Sequence, residues 1–411
     1  MDSENVDRIH LNFHGTAASI SLYEVALALL VFLDGISRLK AWDSESWAST
    51  FVDVVQLGIY ILLFVLLIKN HYSFEMLFAI GLSLILLIAG YFVTREAVFI
   101  RDLLLLVAAK DISFNKILKS LRYSLSLVML IAVLSVLFGF ADMAVQRRGG
   151  LALGFSHPNQ AALVLTIILL LWLAEKHKTF KSSDFVFALI ATTIIYIVTK
   201  SRTPLALAVL VVVVGIIYKN YPSLKIGKGL IKVLIVMPIL CLAFTVVTAY
   251  LLPMNSIVNR LDLLLSNRIF LNWYAINHHG MRLFGQIVNL TEGSGTTFNE
   301  IRGIWNSLIT VDNSYTLALV SLGIIPTFVF VGWSCFSQKQ IVVKGDLFLL
   351  ILGTVFCIYG ITEAQMIDVF NNFMLLFAMA SVSEDSSLSS SYSFDPSIEL
   401  ASERSFIDES R

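Results

Sequence analysis

The segment FVDVVQLGIYILLFVLLIKNHYSFEMLFAIGLSLILLIAGYFVT, residues 51–94, decides the fold. Neither Val54 to Ile68 nor Met76 to Thr94 contains a charged residue, and the polar turn Lys69-Asn70-His71-Tyr72-Ser73 separates the two runs. A helix of about 20 apolar residues crosses a hydrocarbon core roughly 30 Å thick. The segment therefore reads as two transmembrane helices joined by a short loop. The pattern recurs along the whole chain, which is 57 % hydrophobic and 14 % charged with a mean hydropathy of +0.82. Such a composition excludes an ordinary soluble domain.

The expected fold is all-α, a polytopic integral membrane protein with about twelve transmembrane helices. The spans fall near residues 16–36, 49–68, 73–93, 96–110, 121–141, 157–174, 184–199, 203–218, 230–252, 314–335, 346–362 and 365–382. Residues 1–382 form one polytopic domain, with a long outer loop at 253–313 between spans 9 and 10. Residues 383–411 are Ser-rich and acidic and read as a disordered cytoplasmic tail. Met1 to Gly15 lacks the basic lead of a cleaved signal peptide and reads as a cytoplasmic tail.

The basic residues are sorted by type. Loops on one side carry thirteen Lys and one Arg (Arg122), whereas loops on the other carry nine Arg and two Lys (Lys40, Lys200). The positive-inside rule places the lysine side, with both termini, in the cytoplasm. Orientation alone does not require arginine outside. Arginine's planar fork engages phosphate oxygens bidentately, so the sorting points to an outer face that binds phosphate. The net charge of zero gives no bulk attraction for nucleic acid.

Three polar clusters open helices on the arginine side: Gly154-Phe155-Ser156-His157-Pro158-Asn159, Lys200-Ser201-Arg202-Thr203-Pro204 and Asp312-Asn313-Ser314-Tyr315. Ser156 or His157 before Pro158, and Thr203 before Pro204, read as N-caps followed by proline at the first helical position. Each such end presents free N–H groups and a positive dipole to an anion, although every helix also needs an ordinary cap. Arg268–Phe284 has the apolar period of a helix lying on the membrane surface. Lys110–Arg122 reads either as a short interfacial helix or as a plain basic loop. Cys241, Cys335 and Cys357 lack metal-ligand spacing and read as buried apolar residues. The adjacent His278 and His279 lack nearby carboxylates for a metal site. Glu363 lies among apolar residues and is either interfacial or functional.

Arg148 with Gly154-Phe155-Ser156-His157-Pro158-Asn159-Gln160, Ser201-Arg202, Asn267-Arg268-Ile269-Phe270 with Trp273, and Asp312-Asn313-Ser314-Tyr315 with Leu322-Gly323 together resemble the O-antigen polymerase and ligase superfamily. That superfamily includes the Wzy-type polymerases of capsule and exopolysaccharide synthesis. The resemblance implies a multi-pass protein of the bacterial cytoplasmic membrane. It also implies an inverting, metal-independent glycosyltransferase, GT-C-like and without cofactor. The substrates would be undecaprenyl-pyrophosphate-linked oligosaccharides at the outer leaflet, with a flippase and a chain-length regulator of the same pathway as partners. Ligases of this superfamily commonly have histidine close before the asparagine where Asp312 stands, which favours polymerase.

The chemistry suits the residues. Arg148, Arg202 and Arg268 are candidates to stabilise the leaving diphosphate. Asp312 is the first candidate base and Glu363 the second. Asn159 and Asn313 would orient substrate, while His157, Ser201 and Tyr315 complete the binding set. Arg147, Arg260, Arg282 and Arg302 are further contacts. The rival readings are a lipid-linked oligosaccharide flippase or transporter, an O-antigen-type ligase, and a structural membrane component without chemistry. A flippase predicts charges lining a path through the bundle, whereas only Arg101 clearly interrupts a span.

Overall fold

A computed structural model of the chain describes residues 8–10, 19–40, 46–141, 149–221, 226–288, 290, 297–299, 304–306 and 311–381. The proposed tail, Arg147, Arg148 and Arg302 lie outside them. The helices are α1 (Leu22–Ser37), α2 (Ser46–Lys69), α3 (Phe74–Thr94), α4 (Val98–Ala108), α5 (Phe114–Leu137), α6 (Pro158–Lys176), α7 (Ser182–Thr199) and α8 (Arg202–Asn220). They continue as α9 (Lys228–Ile235), α10 (Met237–Leu251), α11 (Ser256–Leu264), α12 (Arg268–His279), α13 (Ser314–Leu317), α14 (Ile324–Val343) and α15 (Leu347–Tyr359). Two short antiparallel pairs complete the described structure: Arg8–His10 with Ser19–Ser21, and Thr297–Asn299 with Ile304–Asn306.

Among the described residues six helices are long and apolar enough to cross a membrane, and α9 with α10, bent by 62°, makes a seventh if counted as one span. The protein is thus a helical, multi-pass membrane protein. Apolar side chains such as Phe74, Ile85 and Phe92 on α3 face outward, as lipid-facing residues do. By contrast, α4 is buried at Phe99 and at every position from Arg101 to Ala108, and it packs inside the bundle against α2 and α3. With 11 residues, α4 is shorter than a full crossing, and Arg101 and Asp102 lie inside it.

The largest departure from the expected spans is the last one. Residues 364–381 run from one end of the bundle to the other without an α-helix. Short 3-10 turns at Ala364–Ile367 and Phe373–Ala378 alternate with irregular backbone. At a rise of about 2.0 Å per residue, such turns cover more distance than an α-helix of equal length. Irregular backbone at membrane depth is tolerated only where protein buries it. Here α4, α5, α14 and α15 surround the segment, and Phe370, Phe373, Phe377 and Ala380 are buried.

A charge network holds this segment. Arg101 Nη2 meets Asp368 at 2.8 Å and Asp102 at 2.9 Å, while Arg38 Nη2 meets Asp368 at 2.7 Å and Asp34 at 2.6 Å. Arg38 also donates to Gln365 Oε1 at 3.2 Å, and the Val369 amide donates to Asp102 Oδ2 at 3.2 Å. At the opposite end, the Phe114 amide donates to the Ser381 carbonyl at 2.7 Å. The interior therefore holds more charge than Arg101 alone, although Arg pairing and backbone N–H groups engage its carboxylates.

Other expectations are corrected. Lys110–Arg122 is not an interfacial helix or loop. Helix α5 begins at Phe114, and Phe114, Ile117, Leu118 and Leu121 are buried in the bundle. The helix read over Arg268–Phe284 ends at His279, because Gly280 takes φ +72 and stops it. Its Ile269, Phe270, Ala275 and Ile276 are buried, with α10 as the main neighbour, so it does not lie free on a surface. Span 10 is broken at Gly323, whose φ of +106 admits a close backbone crossing by Gly285. The Ile324 and Ile325 amides there donate to the Arg282 and Leu283 carbonyls.

Candidate functional site

The first and second polar clusters meet directly. His157 caps α6, its Nδ1 accepting the Asn159 amide at 3.0 Å, and Pro158 follows at the first helical position as expected. An accepting Nδ1 places the proton of the neutral ring on Nε2. In the second cluster Ser201, not Thr203, is the N-cap of α8, and Pro204 sits within the first turn, where no intrahelical N–H bond is lost. Ser201 makes no side-chain cap. Its Oγ instead donates to Asn159 Oδ1 at 2.8 Å. The starts of α6 and α8 are thereby tied together. Arg202, the first residue of α8, is exposed.

The third cluster supplies the acid. Asn313 caps α13 by accepting the Thr316 amide at 2.9 Å, and its Nδ2 donates to Ile361 O at 2.9 Å and Thr245 Oγ1 at 3.2 Å. Tyr315 donates its hydroxyl to Cys357 O at 2.9 Å. Both side chains are buried and spent on the fold rather than directed to a ligand. Their neighbour Asp312 is half-buried and lies in the electrostatic field of His157.

Arg268 joins this cluster to Glu363. The turn before α12 is set by the fully buried Asp262, whose carboxylate accepts the Phe270 amide at 3.0 Å. Arg268 thus begins its helix at a fixed point. Its Nη1 donates to the Thr362 carbonyl, and its Nη2 stands 3.5 Å from Asp312 Oδ2. The same loop is held by Ser314, whose Oγ donates to Glu363 O at 2.5 Å and accepts from the Met366 amide at 3.0 Å.

The two acids are electrostatically distinct. Burial raises Asp312 above the usual carboxylate range, with Arg268 and His157 opposing the rise. Burial and the charge of Asp312 push Glu363 up to about 7. Burial also lowers His157, with Asp312 opposing. Two carboxyls with separated affinities for protons can divide the roles of base and neutral hydrogen-bond donor.

His157, Asn159, Ser201, Arg268, Asp312 and Glu363 therefore gather at one end of the bundle, with Arg202 at its edge. Arg260 on α11 and Arg282 after α12 are exposed and have no hydrogen bond or ion pair from their side chains to these groups. Among the described residues no group of three or more His, Cys, Asp or Glu could hold a metal ion. Sequence reasoning missed the roles of Arg38 and Gln365 behind the site, and Tyr359, whose hydroxyl lies in the field of Glu363, Arg268 and Asp312. The four-residue spacing of Asp34 and Arg38 was the available signal for the former. Compared with known proteins, the chain matches no family model and no curated sequence.

Proposed function

We propose that the protein is a polysaccharide polymerase, a glycosyltransferase that moves a growing glycan from undecaprenyl pyrophosphate onto a lipid-linked repeat unit. The lysine-rich end is cytoplasmic, as are both termini. The chain makes twelve passes, the fourth by a short buried helix and the twelfth by the irregular segment 364–381. The site faces the outer leaflet of a bacterial cytoplasmic membrane. The observation that carries this reading is the junction of Arg268, Asp312 and the Glu363 loop beside the tied starts of α6 and α8.

In the reaction the anomeric C–O bond to diphosphate breaks while an acceptor hydroxyl attacks from the opposite face. Asp312 takes the hydroxyl proton. Arg202 and the first turns of α6 and α8 stabilise the charge growing on the diphosphate, where preorganised dipoles act without reorganisation. Arg268 is partly committed to Asp312 and Thr362, so it holds the base in place and offers its remaining donors to the leaving group. Glu363 stays protonated below about pH 7, which leaves Asp312 the acid that ionises.

The flippase reading predicts a polar path, whereas the cavity beside α4 is lined by Leu87, Phe99, Leu103, Leu106, Val329, Phe330, Trp333, Val369 and Leu375, with Asp102 as its one charged wall. Gel analysis of lipid-linked glycans from cells lacking the gene tests the proposal. Accumulated single repeat units are expected. Accumulated long lipid-linked polymer would identify a ligase, and a pool trapped on the inner leaflet a flippase.

A further inference from the structure

Helix α11 has three unlike sides. Val258 is buried with Leu252, Ile269 and Phe270, and one turn further on Asp262 is fully buried. Ile257, Leu261 and Leu264, at i, i+4 and i+7, share a second side. There Ile257 is 75 % exposed and Leu264 81 %. Ser256 and Arg260 are exposed on the remaining side. The main neighbour of α11 is α12, which covers only the first of these sides. Large apolar side chains bared together mark a surface that meets membrane or protein rather than water.

The bilayer reaches this side from α10. That helix is the second half of the bent pair that is long and apolar enough to cross a membrane. Its exposed Val247, Tyr250 and Leu251 lead through the turn at Met254, 82 % exposed, to Ile257. No charged residue lies between Lys232 and Arg260, so the apolar surface of the crossing continues into α11 without interruption. Arg260 then stands beside the apolar side, where its stem can lie along hydrocarbon and its guanidinium can reach lipid phosphates. A protein partner would have to displace lipid already at that depth.

We propose that α11 is an interfacial helix, seated in bilayer lipid through Ile257, Leu261 and Leu264 beside the candidate site. Such helices bury their apolar side about 5–10 Å into the boundary between headgroups and acyl chains. The seat bears on the site through Asp262. Its carboxylate accepts the Phe270 amide at 3.0 Å, and its carbonyl accepts the Asn267 amide at 2.8 Å. The start of α12, and Arg268 with it, is thereby held at a fixed height above the lipid.

Nitroxide labels on Ile257→Cys, Leu264→Cys and, for reference, Ser256→Cys test the seat in the full chain. The protein is held in nanodiscs of phosphatidylethanolamine and phosphatidylglycerol. All three positions are exposed, so the substitutions leave the fold intact. Wild type treated in the same way supplies the background from Cys241, Cys335 and Cys357. Oxygen concentrates in hydrocarbon and a nickel chelate in water, so the ratio of their collision rates with a label reports its medium. The oxygen-to-nickel ratio at Ile257 and Leu264 should exceed that at Ser256 about tenfold. A ratio no higher than at Ser256 would place this side in water and overturn the proposal. Shielding of both labels from oxygen and nickel alike would reveal a protein contact in place of lipid, and would overturn it equally. None of these readings involves glycan transfer, so they stand apart from the fate of the polymerase proposal.

Discussion

Arg101 and Asp368 meet at 2.8 Å in the interior although 267 residues separate them in the chain. Both are buried, at 7 % and 6 % exposure. The pair ties the buried helix α4 to the irregular last pass, and Arg38 extends the tie to the end of α1. Breaking a buried pair by removing one partner typically costs about 3–5 kcal/mol, because a charge is left without compensation.

The network holds Asp34, Asp102 and Asp368 against Arg38 and Arg101, one acid more than its bases. Neutralising the correct acid should therefore cost less. Asp368→Asn leaves both arginines without their shared partner and should cost about 3 kcal/mol or more. Asp102→Asn balances the remaining charges, but its one amide oxygen keeps either the Arg101 bond or the Val369 amide while the NH2 turns against the other donor, so it should cost about 1–2 kcal/mol, less than the loss of Asp368, which two arginines share. Melting temperatures of the two purified variants check the order. Equal losses would show that Asp368 has no special place in the network.

The long helices were legible because apolar length is a local property, and residues 51–94 indeed form α2 and α3 with a cap at Ser73. The last pass was not. Residues 365–382 have the apolar content of a helix, but Asp368, Asn371 and Asn372 lie in it, and amides at 370 to 372 turn back onto Asp368 oxygens. Only the distant Arg38 and Arg101 make that turn stable. The site divides in the same way: His157 before Pro158 could be read as a cap from neighbours, whereas the approach of Arg268 to Thr362 depends on tertiary packing. The shift of the α8 cap from Thr203 to Ser201 follows from proline being tolerated anywhere in a helix's first turn.

Stability should vary with pH through Glu363. Its folded value of about 7 lies above the ordinary 4.5, so the folded state holds more protons between these values. Stability consequently falls as pH rises through that window and levels off above about 7. The side chain keeps partial contact with solvent, which limits the effect to on the order of 1–2 kcal/mol. Melting temperatures from pH 5 to 8 should decline for the wild type and decline less for Glu363→Gln. In single-turnover assays Asp312→Asn should abolish transfer while Glu363→Gln retains it; the reverse result would make Glu363 the base.

Arg202 and Arg268 should separate when each is changed to lysine. Arg202 is exposed, so its variant should match wild-type stability within about 0.5 kcal/mol. Its transfer rate should fall on the order of 10²-fold through loss of the planar fork at the diphosphate. A single ammonium in place of Arg268 cannot serve both Thr362 O and Asp312, so that variant should lose melting temperature as well as polymer. Glycan ladders measured beside membrane protein levels distinguish the two effects, and full-length glycan from Arg202→Lys would remove that residue from the site.

Gly154 offers a test of the loop that delivers His157. Its φ is +90, and a Cβ there would lie 2.5 Å from the Ala132 carbonyl oxygen of α5. Its own carbonyl accepts the Lys40 amide at 3.0 Å, and the next residue, Phe155, is fully buried beside a bridge to Leu39. An alanine must therefore push the loop away from α5, at a cost of about 1–3 kcal/mol, and carry His157 and the start of α6 with it. Gly139 provides the comparison, since its φ is +76 but a Cβ there meets nothing within 4 Å. Gly139→Ala pays only backbone strain at a place remote from the cap. Polymer synthesis should collapse in Gly154→Ala and persist in Gly139→Ala at matched protein levels. Equal activity in the two would mean that the position of the His157 cap does not govern the reaction.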